Sequence, residues 1–426
     1  MLDTKTIKER VVLVGVDFGK KDFDLESSMF ELVDLVEAAE GTVVYQITQN
    51  RDRPESATYI GIGKIEEVMR AVATYDADTV VFNDELSGSQ IRNLESLIGC
   101  KIVDRTNLIL DIFALRATTA EGKLQVKLAQ LKYRLPRLIG YSDYLSRTGG
   151  GIGTRGPGEQ KLELDRRHIQ REILHVQNAL TKSEENREIT RSKRLNSNLP
   201  IISFVGYTNA GKSTLMNAIL TNGDPQSNDK HVFVKDMLFA TLEPSLRKAR
   251  LNNGLNVILT DTVGFVSKLP HTLVEAFKGT LEEIKYSDLI IHVVDASNPD
   301  LNIQMDTTYK MLRDLDVLDR KIITVFNKMD LAMDQDIAFY QSEFGNRMYI
   351  SAHDMDDVDR LVDAIEVELE SSFKKVNFEI PFSDLGILDA IASNYEIIGL
   401  EYTEKGAQFR AVIRESDQNR YKKYII

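Results

Sequence analysis

Cysteine is nearly absent: Cys100 is the single one in 426 residues, which excludes an internal disulfide framework and fits a reducing compartment. Long apolar runs are missing as well. The first, Val11 to Val16, is short for a signal-peptide core and follows residues of mixed charge; no uncharged apolar stretch approaches the roughly 20 residues that span a bilayer. The expectation is a cytoplasmic protein without a membrane span, any membrane contact being confined to the periphery. A positive balance is also lacking, and the net charge of −12 argues against a chain that coats nucleic acid throughout. That average conceals an asymmetry. Between Glu121 and Leu199, 16 Lys and Arg stand against 9 Asp and Glu, a balance of +7. With 42% hydrophobic and 28% charged residues, the composition is that of an ordinary soluble protein, and the length predicts about two to four domains.

The amino-terminal third alternates two periods. Val11 to Val16, Val43 to Thr48, Thr79 to Phe82 and Lys101 to Val103 read as buried strands, with helices at Glu26 to Ala39, Lys64 to Ala73 and Gln90 to Ile98. This predicts a small parallel sheet with right-handed crossovers. Gly61-Ile62-Gly63-Lys64 lacks the third glycine and the acid of a nucleotide loop, and reads as a tight turn. From Glu121 the spacing changes to an apolar seam, Leu124, Leu128, Leu131, Leu135 and Leu138, matched by Leu162, Ile169, Ile173, Val176 and Leu180. Two such seams predict an antiparallel helical hairpin, its first arm kinked at Pro136. The connecting stretch, residues 147–159, holds Arg147, Gly149, Gly150, Gly151, Gly153, Arg155, Gly156, Pro157 and Gly158. Closing a helix pair takes only about two to five residues, so this tip is longer and poorer in side-chain bulk than closure needs. A flexible hinge accounts for it equally well; the positive balance of the arms favours a tip that enters a crevice lined by phosphates or bases.

Five motifs follow in fixed order. After the apolar run Ile201 to Val205 come Gly206, Tyr207, Thr208, Asn209, Ala210, Gly211, Lys212 and Ser213, a full G-x-x-x-x-G-K-[ST] phosphate loop. Its amides turn toward one anion, Lys212 reaches the β- and γ-phosphates, and the Ser213 hydroxyl serves Mg²⁺. Phe239, Ala240, Thr241, Leu242 and Glu243 lie in a polar region where Thr241 is the candidate second hydroxyl ligand. Asp261, Thr262, Val263 and Gly264 form D-x-x-G at a strand end: Asp261 meets the Mg²⁺ shell and the Gly264 N–H the γ-phosphate. Asn327, Lys328, Met329 and Asp330 form N-K-x-D. A carboxylate at Asp330 accepts from the N1–H and 2-amino groups that guanine presents together and adenine lacks. Ser351 and Ala352, followed by His353, complete the set, with the Ala352 N–H offered to guanine O6. Each motif alone has a bland reading as a cap or turn; the ordered series points to GTP or GDP with Mg²⁺ at the carboxyl ends of a doubly wound sheet. Lys212, Thr241, Gly264 and Asn209 are the residues expected to act in catalysis. Phe265 stands where signalling GTPases place a water-orienting glutamine, so slow turnover that a partner stimulates is expected. Asn209 resembles the loop asparagine that helps bind K⁺ in translation-factor-class GTPases, which makes K⁺ a second candidate ion. Beyond Glu370, strands at Val376 to Ile380, Glu396 to Tyr402 and Gln408 to Ile413 with a helix around Asp384 to Asn394 predict a small appendage. Phe409, Arg410, Arg420, Tyr421, Lys422 and Lys423 could touch RNA there, although an ordinary half-buried sheet is the better reading.

The chain resembles the HflX family of ribosome-associated GTPases. The likeness is carried by Asp104-Arg105-Thr106, Leu110 to Ala114, Glu121 to Val126, Gly150 to Gly153, Arg155 to Glu159, the phosphate loop, Leu238 to Pro244 and Asp261 to Phe265. The glycine-rich tip is particular to that family. The resemblance implies binding to the large (50S) ribosomal subunit and its rRNA, the tip (Arg147, Gly150, Gly151, Gly153, Arg155, Gly156, Pro157, Gly158) directed at the peptidyl transferase centre, and GTP-dependent splitting or rescue of ribosomes under stress. The whole reads as an α/β protein, expected to be monomeric. It comprises an N-terminal parallel-sheet subdomain (1–115), a helical hairpin (116–198), a P-loop GTPase domain (199–372) and a C-terminal α+β domain (373–426). The stretch Asn222 to Val234 is longer than usual, and His353-Asp354 lack the downstream glycine. Competing readings are an RNA-binding or ribosome-assembly module that uses GTP as a structural switch, and a GTPase tied to tRNA modification, which shares Asn209 and the apolar Phe265. Asp330→Asn should shift preference from guanine toward xanthine nucleotides in competition binding; an unchanged preference for GTP would refute base reading by this carboxylate.

Overall fold

The computed structural model describes residues 8–19, 24–138, 157–196, 199–223, 245–262, 264–268, 273, 281–332, 346–370, 373–395 and 397–426. Internal contacts divide the chain into two units. The first is Met1–Lys182 with Asp236–Leu242 and Ser267–Lys278; the second is Ser183–Lys235 with Glu243–Val266 and Gly279–Ile426.

In the first unit, β1 (Arg10–Asp17), β2 (Thr42–Asn50), β3 (Thr79–Phe82) and β4 (Lys101–Asp104) form an all-parallel sheet ordered β2-β1-β3-β4. Helices α1 (Leu25–Ala38), α2 (Ile62–Tyr75) and α3 (Gly88–Ile98) are the crossovers, as the alternating pattern predicts. Each has a local reason to start where it does. Asp24 accepts from the Glu26 and Ser27 amides, and Ser87 with Gln90 forms a capping box. Gly61 to Lys64 is a helix start rather than the expected turn: α2 begins at Ile62, and Lys64 pairs with Glu67 at 2.7 Å. A further helix, α4 (Arg105–Arg116), escapes the periodicity reading because burial runs round most of it and takes in polar as well as apolar residues; Arg105, Thr106, Leu108, Ile109, Leu110, Ile112 and Phe113 are all buried.

Asp104, fully buried, joins these pieces. Its carboxylate caps α4 through the Asn107 amide (2.8 Å) and accepts from the Leu86 amide (2.9 Å). The Tyr133 hydroxyl (2.8 Å) and Arg137 (3.2 Å) reach it from α5 (Ala120–Leu138). Burial pushes this carboxyl up from the usual range, and the four donors oppose that shift.

The seams pack as expected. Leu128, Leu131 and Val176 form a cluster with Leu124, Ile169, Ile173 and Leu180, joining α5 to α6 (Pro157–Asn196). Lys127 pairs with Glu172 at 3.3 Å, whereas Leu138, further along α5, shares a cavity with Asp165, earlier in α6, so the two arms run antiparallel. Pro136 lies inside the last turn of α5. Among the described residues no helix is long and apolar enough to cross a membrane.

In the second unit, β5 (Ile201–Gly206), β6 (Ser245–Arg250), β7 (Asn256–Asp261), β8 (Leu289–Asp295), β9 (Lys321–Asn327) and β10 (Asn346–Tyr349) form a sheet ordered β10-β9-β8-β5-β7-β6, parallel except for β6. The strand order reverses between β5 and β8, which opens a crevice at their carboxyl ends. α7 (Lys212–Gly223), α8 (Leu301–Asp314) and α9 (Met355–Glu370) accompany the sheet. β5 and β8 are buried along their whole length, because a parallel sheet covered on both faces admits only apolar runs.

Beyond it, β11 (Phe373–Ile380), β12 (Ile397–Thr403) and β13 (Gly406–Arg414) pair antiparallel in the order β11-β13-β12 with α10 (Leu385–Asn394) and α11 (Glu415–Tyr421). Phe373 and Val412 join the core of the six-stranded sheet. Arg414 adds a paired contact to Asp288 at 2.7 and 3.1 Å. Phe409 and Tyr421, two of the aromatics considered for RNA, are buried in this appendage's own core, so the ordinary-sheet reading describes them. Phe378 is fully buried and stacks on Phe409 at 5.1 Å between centroids. Phe378→Ala should therefore cost about 3–5 kcal/mol, read as a lower melting transition of the C-terminal appendage; a change within about 0.5 kcal/mol, the range of ordinary surface substitutions, would mean that this core does not hold it.

Candidate nucleotide site

The carboxyl end of β5 turns into the phosphate loop under a steric constraint. At Gly206, φ is +151°, and a Cβ there would lie 2.1 Å from the Val293 carbonyl oxygen of β8. Gly211 has φ +92° and faces Asn327, whose Nδ2 would be 2.2 Å from an added Cβ. Only glycine fits either place. Between them Asn209 adopts φ +59° and is exposed, while Tyr207, Thr208 and Ala210 are buried. Lys212 opens α7, so the loop leads straight into a helix N-terminus, whose free amides and dipole favour an anion. The Lys212 ammonium folds back over the loop and donates to the carbonyls of Gly206 (3.1 Å) and Tyr207 (2.7 Å).

The end of β7 brings in the second motif. Asp261 is fully buried and accepts from the Ser213 hydroxyl at 2.5 Å. The Thr262 hydroxyl donates to the Phe204 carbonyl at 2.6 Å, fixing the strand end to β5. Gly264 lies against both neighbours: a Cβ there would sit 2.7 Å from Thr208 Cγ2 and 3.0 Å from Lys212 Nζ. Phe265 then bridges to Tyr207, its N–H donating to the Gly206 carbonyl (3.2 Å) and its carbonyl accepting from the Thr208 amide (2.7 Å). The Phe265 ring is 2% exposed, so it offers nothing polar to a water at the phosphate end.

The base loops sit at the ends of β9 and β10. Asn327, 1% exposed, donates from Nδ2 to the Ala210 carbonyl (2.9 Å) and accepts at Oδ1 from the Ala352 amide (3.0 Å). One side chain thus ties the phosphate loop to both base-reading segments. That second bond changes one expectation: the Ala352 N–H already serves Asn327, so it is shared rather than wholly available to guanine O6. Lys328, at φ +64°, pairs with Asp295 at 2.8 Å, which directs its stem along the site. The Met329 amide donates to the Ile350 carbonyl (3.2 Å). Asp330 is exposed and accepts no hydrogen bond from the described residues, leaving its carboxylate open to a ligand. Ser351 is held by Asp357, which accepts from its amide (2.7 Å), and the Ser351 hydroxyl takes the exposed His353 amide (3.3 Å).

Mg²⁺ suits what is present. The Ser213 hydroxyl and Asp261 carboxylate are hard oxygen donors side by side, the donor type that Mg²⁺ takes together with substrate phosphates. When bound it would neutralise charge on the transferring phosphoryl group.

Of the expected residues, Gly206 to Ser213, Asp261, Thr262, Gly264, Asn327 to Asp330 and Ser351 to His353 converge at these strand ends. Phe239, Ala240, Thr241, Leu242, Glu243 and Val263 lie outside the described residues, as do Arg147, Gly150, Gly151, Gly153, Arg155 and Gly156; Pro157 and Gly158 begin α6. Three neighbours are additional to the sequence reading. Asp295 could have been found as the acid that ends a buried strand; Asp357 gives no such signal. The third, His292 in β8, is 1% exposed and meets Tyr309 edge-on at 5.0 Å. Burial first, and the Lys212 charge second, push its pKa down to about 3, which keeps it neutral beside that cation.

Residues 26–114 match a family described as GTP-binding GTPase N-terminal, 116–194 its middle region, and 201–328 a family described as 50S ribosome-binding GTPase. The GTPase HflX of Caldanaerobacter subterraneus subsp. tengcongensis is 46% identical over 98% of this chain and 94% of its own. The GTPase HflX of Escherichia coli K12 is 39% identical over 89% and 88%. A crystal structure of a GTP-binding protein from Sulfolobus solfataricus in complex with GDP covers 85% of this chain and 99% of its own, at 24% identity and a TM-score of 0.43.

Lys212 generates a pH prediction. Burial pushes its ammonium down to about 8, and the Asp261 carboxylate pulls part of the way back. A polyphosphate favours the charged form, so above about pH 8 the lysine must take up a proton as nucleotide binds. GTP affinity at fixed Mg²⁺ should fall as pH rises through 8 toward the ordinary lysine range; an affinity flat to pH 9.5 would show the lysine charged throughout.

Proposed function

The chain belongs to the HflX family of GTPases, whose reaction is hydrolysis of GTP to GDP and phosphate, and on that premise we propose that it is a ribosome factor. It binds the large subunit in its GTP state, splits or rescues ribosomes under stress, and leaves after hydrolysis. The observation that carries the nucleotide half is Asn327, hydrogen-bonded at once to the phosphate loop and to the segment beside the guanine-reading Asp330. Support for the ribosome half comes from three sources. The match over 201–328 carries the description 50S ribosome-binding GTPase. The two-armed hairpin is built, with a local balance of +7 over Glu121 to Leu199. Its tip sequence, 147–159, is rich in glycine and carries Arg147 and Arg155, which suits a narrow crevice of rRNA.

The same reading sets the kinetics. With the Phe265 ring buried, the attacking water is oriented by backbone, a cation or the ribosome. Turnover of the isolated protein is then slow, and the ribosome stimulates it. Ser213, Asp261 and Thr241 would hold Mg²⁺, and Asn209 would help hold a K⁺ whose charge would stand in for an arginine finger. The protein acts as a monomer in the cytoplasm. Sedimentation of ribosomes with the protein tests this: GTP or a non-hydrolysable analogue brings it down with the large subunit and raises the free-subunit peaks, whereas GDP and ATP do not. Unchanged profiles with no co-sedimentation in GTP would remove the ribosome assignment while leaving the GTPase assignment standing.

A further inference from the structure

We propose that Arg105 and Glu31 are positioning residues for the D-x-x-G loop, holding its far end through Ser267 and Lys268 so that α1 and α4 of the first unit respond to the nucleotide. The proposal rests on the GTPase reading above. The chain passes from the second unit to the first between Val266 and Ser267, only three residues after Gly264. At the near end, Phe265 is tied to the phosphate loop by two backbone hydrogen bonds, at 3.2 Å to Gly206 and 2.7 Å from Thr208. At the far end, Ser267 is held just as firmly. Its amide donates to Glu31 (3.2 Å), its hydroxyl donates to the same carboxylate, and Arg105 Nη2 donates to the Ser267 hydroxyl at 2.9 Å. Lys268 adds an ion pair to Asp84 and takes φ +53°, a left-handed backbone that lysine keeps only where its surroundings fix it.

The anchor itself has no slack. Arg105 is 2% exposed. Its Nη1 donates to Asn83 Oδ1 at 2.8 Å, its Nη2 also pairs with Glu31, and Asn83 in turn bonds Ser28 on α1. A planar guanidinium gripped on both nitrogens cannot follow a moving partner without losing bonds. Between the two fixed points lie two peptide steps, spanning at most about 7 Å. When a γ-phosphate draws in the Gly264 amide or releases it, two peptide steps can absorb only a small displacement. A larger one must either shift Ser267, with Glu31 and α1, or break the Ser267 contacts. A staple that only adds stability would affect every nucleotide state alike; this arrangement makes the first unit's protection depend on which nucleotide is bound.

Hydrogen exchange on the full-length protein separates these. In wild type, peptides from α1 and the start of α4 should exchange at rates differing about tenfold between GDP and a non-hydrolysable GTP analogue, a coupling of ordinary size. Ser267→Ala, which leaves the Arg105–Glu31 pair in place, and Glu31→Gln, which keeps an acceptor for Arg105 but removes its charge partner, should each abolish that difference while binding of a fluorescent guanine nucleotide stays intact. Identical exchange in the two wild-type complexes, or a difference that survives both substitutions, overturns the proposal. Failure of the wild type to bind guanine nucleotide overturns the GTPase reading, and this inference with it.

Discussion

Asn327 is the side chain on which the nucleotide site depends. It is buried at the end of a strand, and its amide has one donor and one acceptor satisfied by two different loops, Ala210 on the phosphate side and Ala352 on the base side. A buried amide left without either partner would carry a desolvation penalty of about 1–3 kcal/mol, so the two loops are held in register by the cost of separating them. The glycine at position 211 belongs to the same constraint, since a side chain there would occupy the space of the Asn327 amide. Around this bridge the remaining pieces need only short reaches: Ser213 to Asp261, Gly264 to Lys212, Lys328 to Asp295.

The two ends of the site differ in what the chain does next. The base loops end in strands of the buried sheet, whereas the loop after Asp261 continues into residues gripped by Arg105 and Glu31. In the coupling proposed above the γ-phosphate end is the one that responds, because only the terminal phosphate distinguishes GTP from GDP.

The antiparallel edge strand β6 was not legible in the sequence, whereas the four-stranded parallel sheet and the loops after β5, β7 and β9 were, because those motifs sit where buried apolar runs stop. Ile201 to Val205 into Gly206, and Ile322 to Phe326 into Asn327, show this plainly. The helix α4 was not legible: its buried residues, polar Arg105 and Thr106 among them, lie round most of the helix and leave no clear period to read. Nor was the role of Arg105. Its partners Glu31 and Ser267 stand 74 and 162 residues away, and a buried ion pair between distant positions leaves no local signature. Asp104-Arg105-Thr106 could be read only as a mark of kinship; in the structure Asp104 organises α3, α4 and α5, and Arg105 holds the chain beyond the D-x-x-G loop. The use of the Ala352 amide by Asn327 was hidden for the same reason, since it depends on how two loops meet.

Through Asn327 the phosphate loop and the base loops form one hydrogen-bonded unit. The direct measurement is the affinity of Asn327→Ala for GTP and for inorganic tripolyphosphate, a ligand with no base to contact. If the bridge shapes the phosphate loop, both affinities fall together, by about tenfold or more for a lost buried hydrogen-bond pair. Tripolyphosphate binding at the wild-type level beside weakened GTP binding would contradict it, and would confine Asn327 to the base.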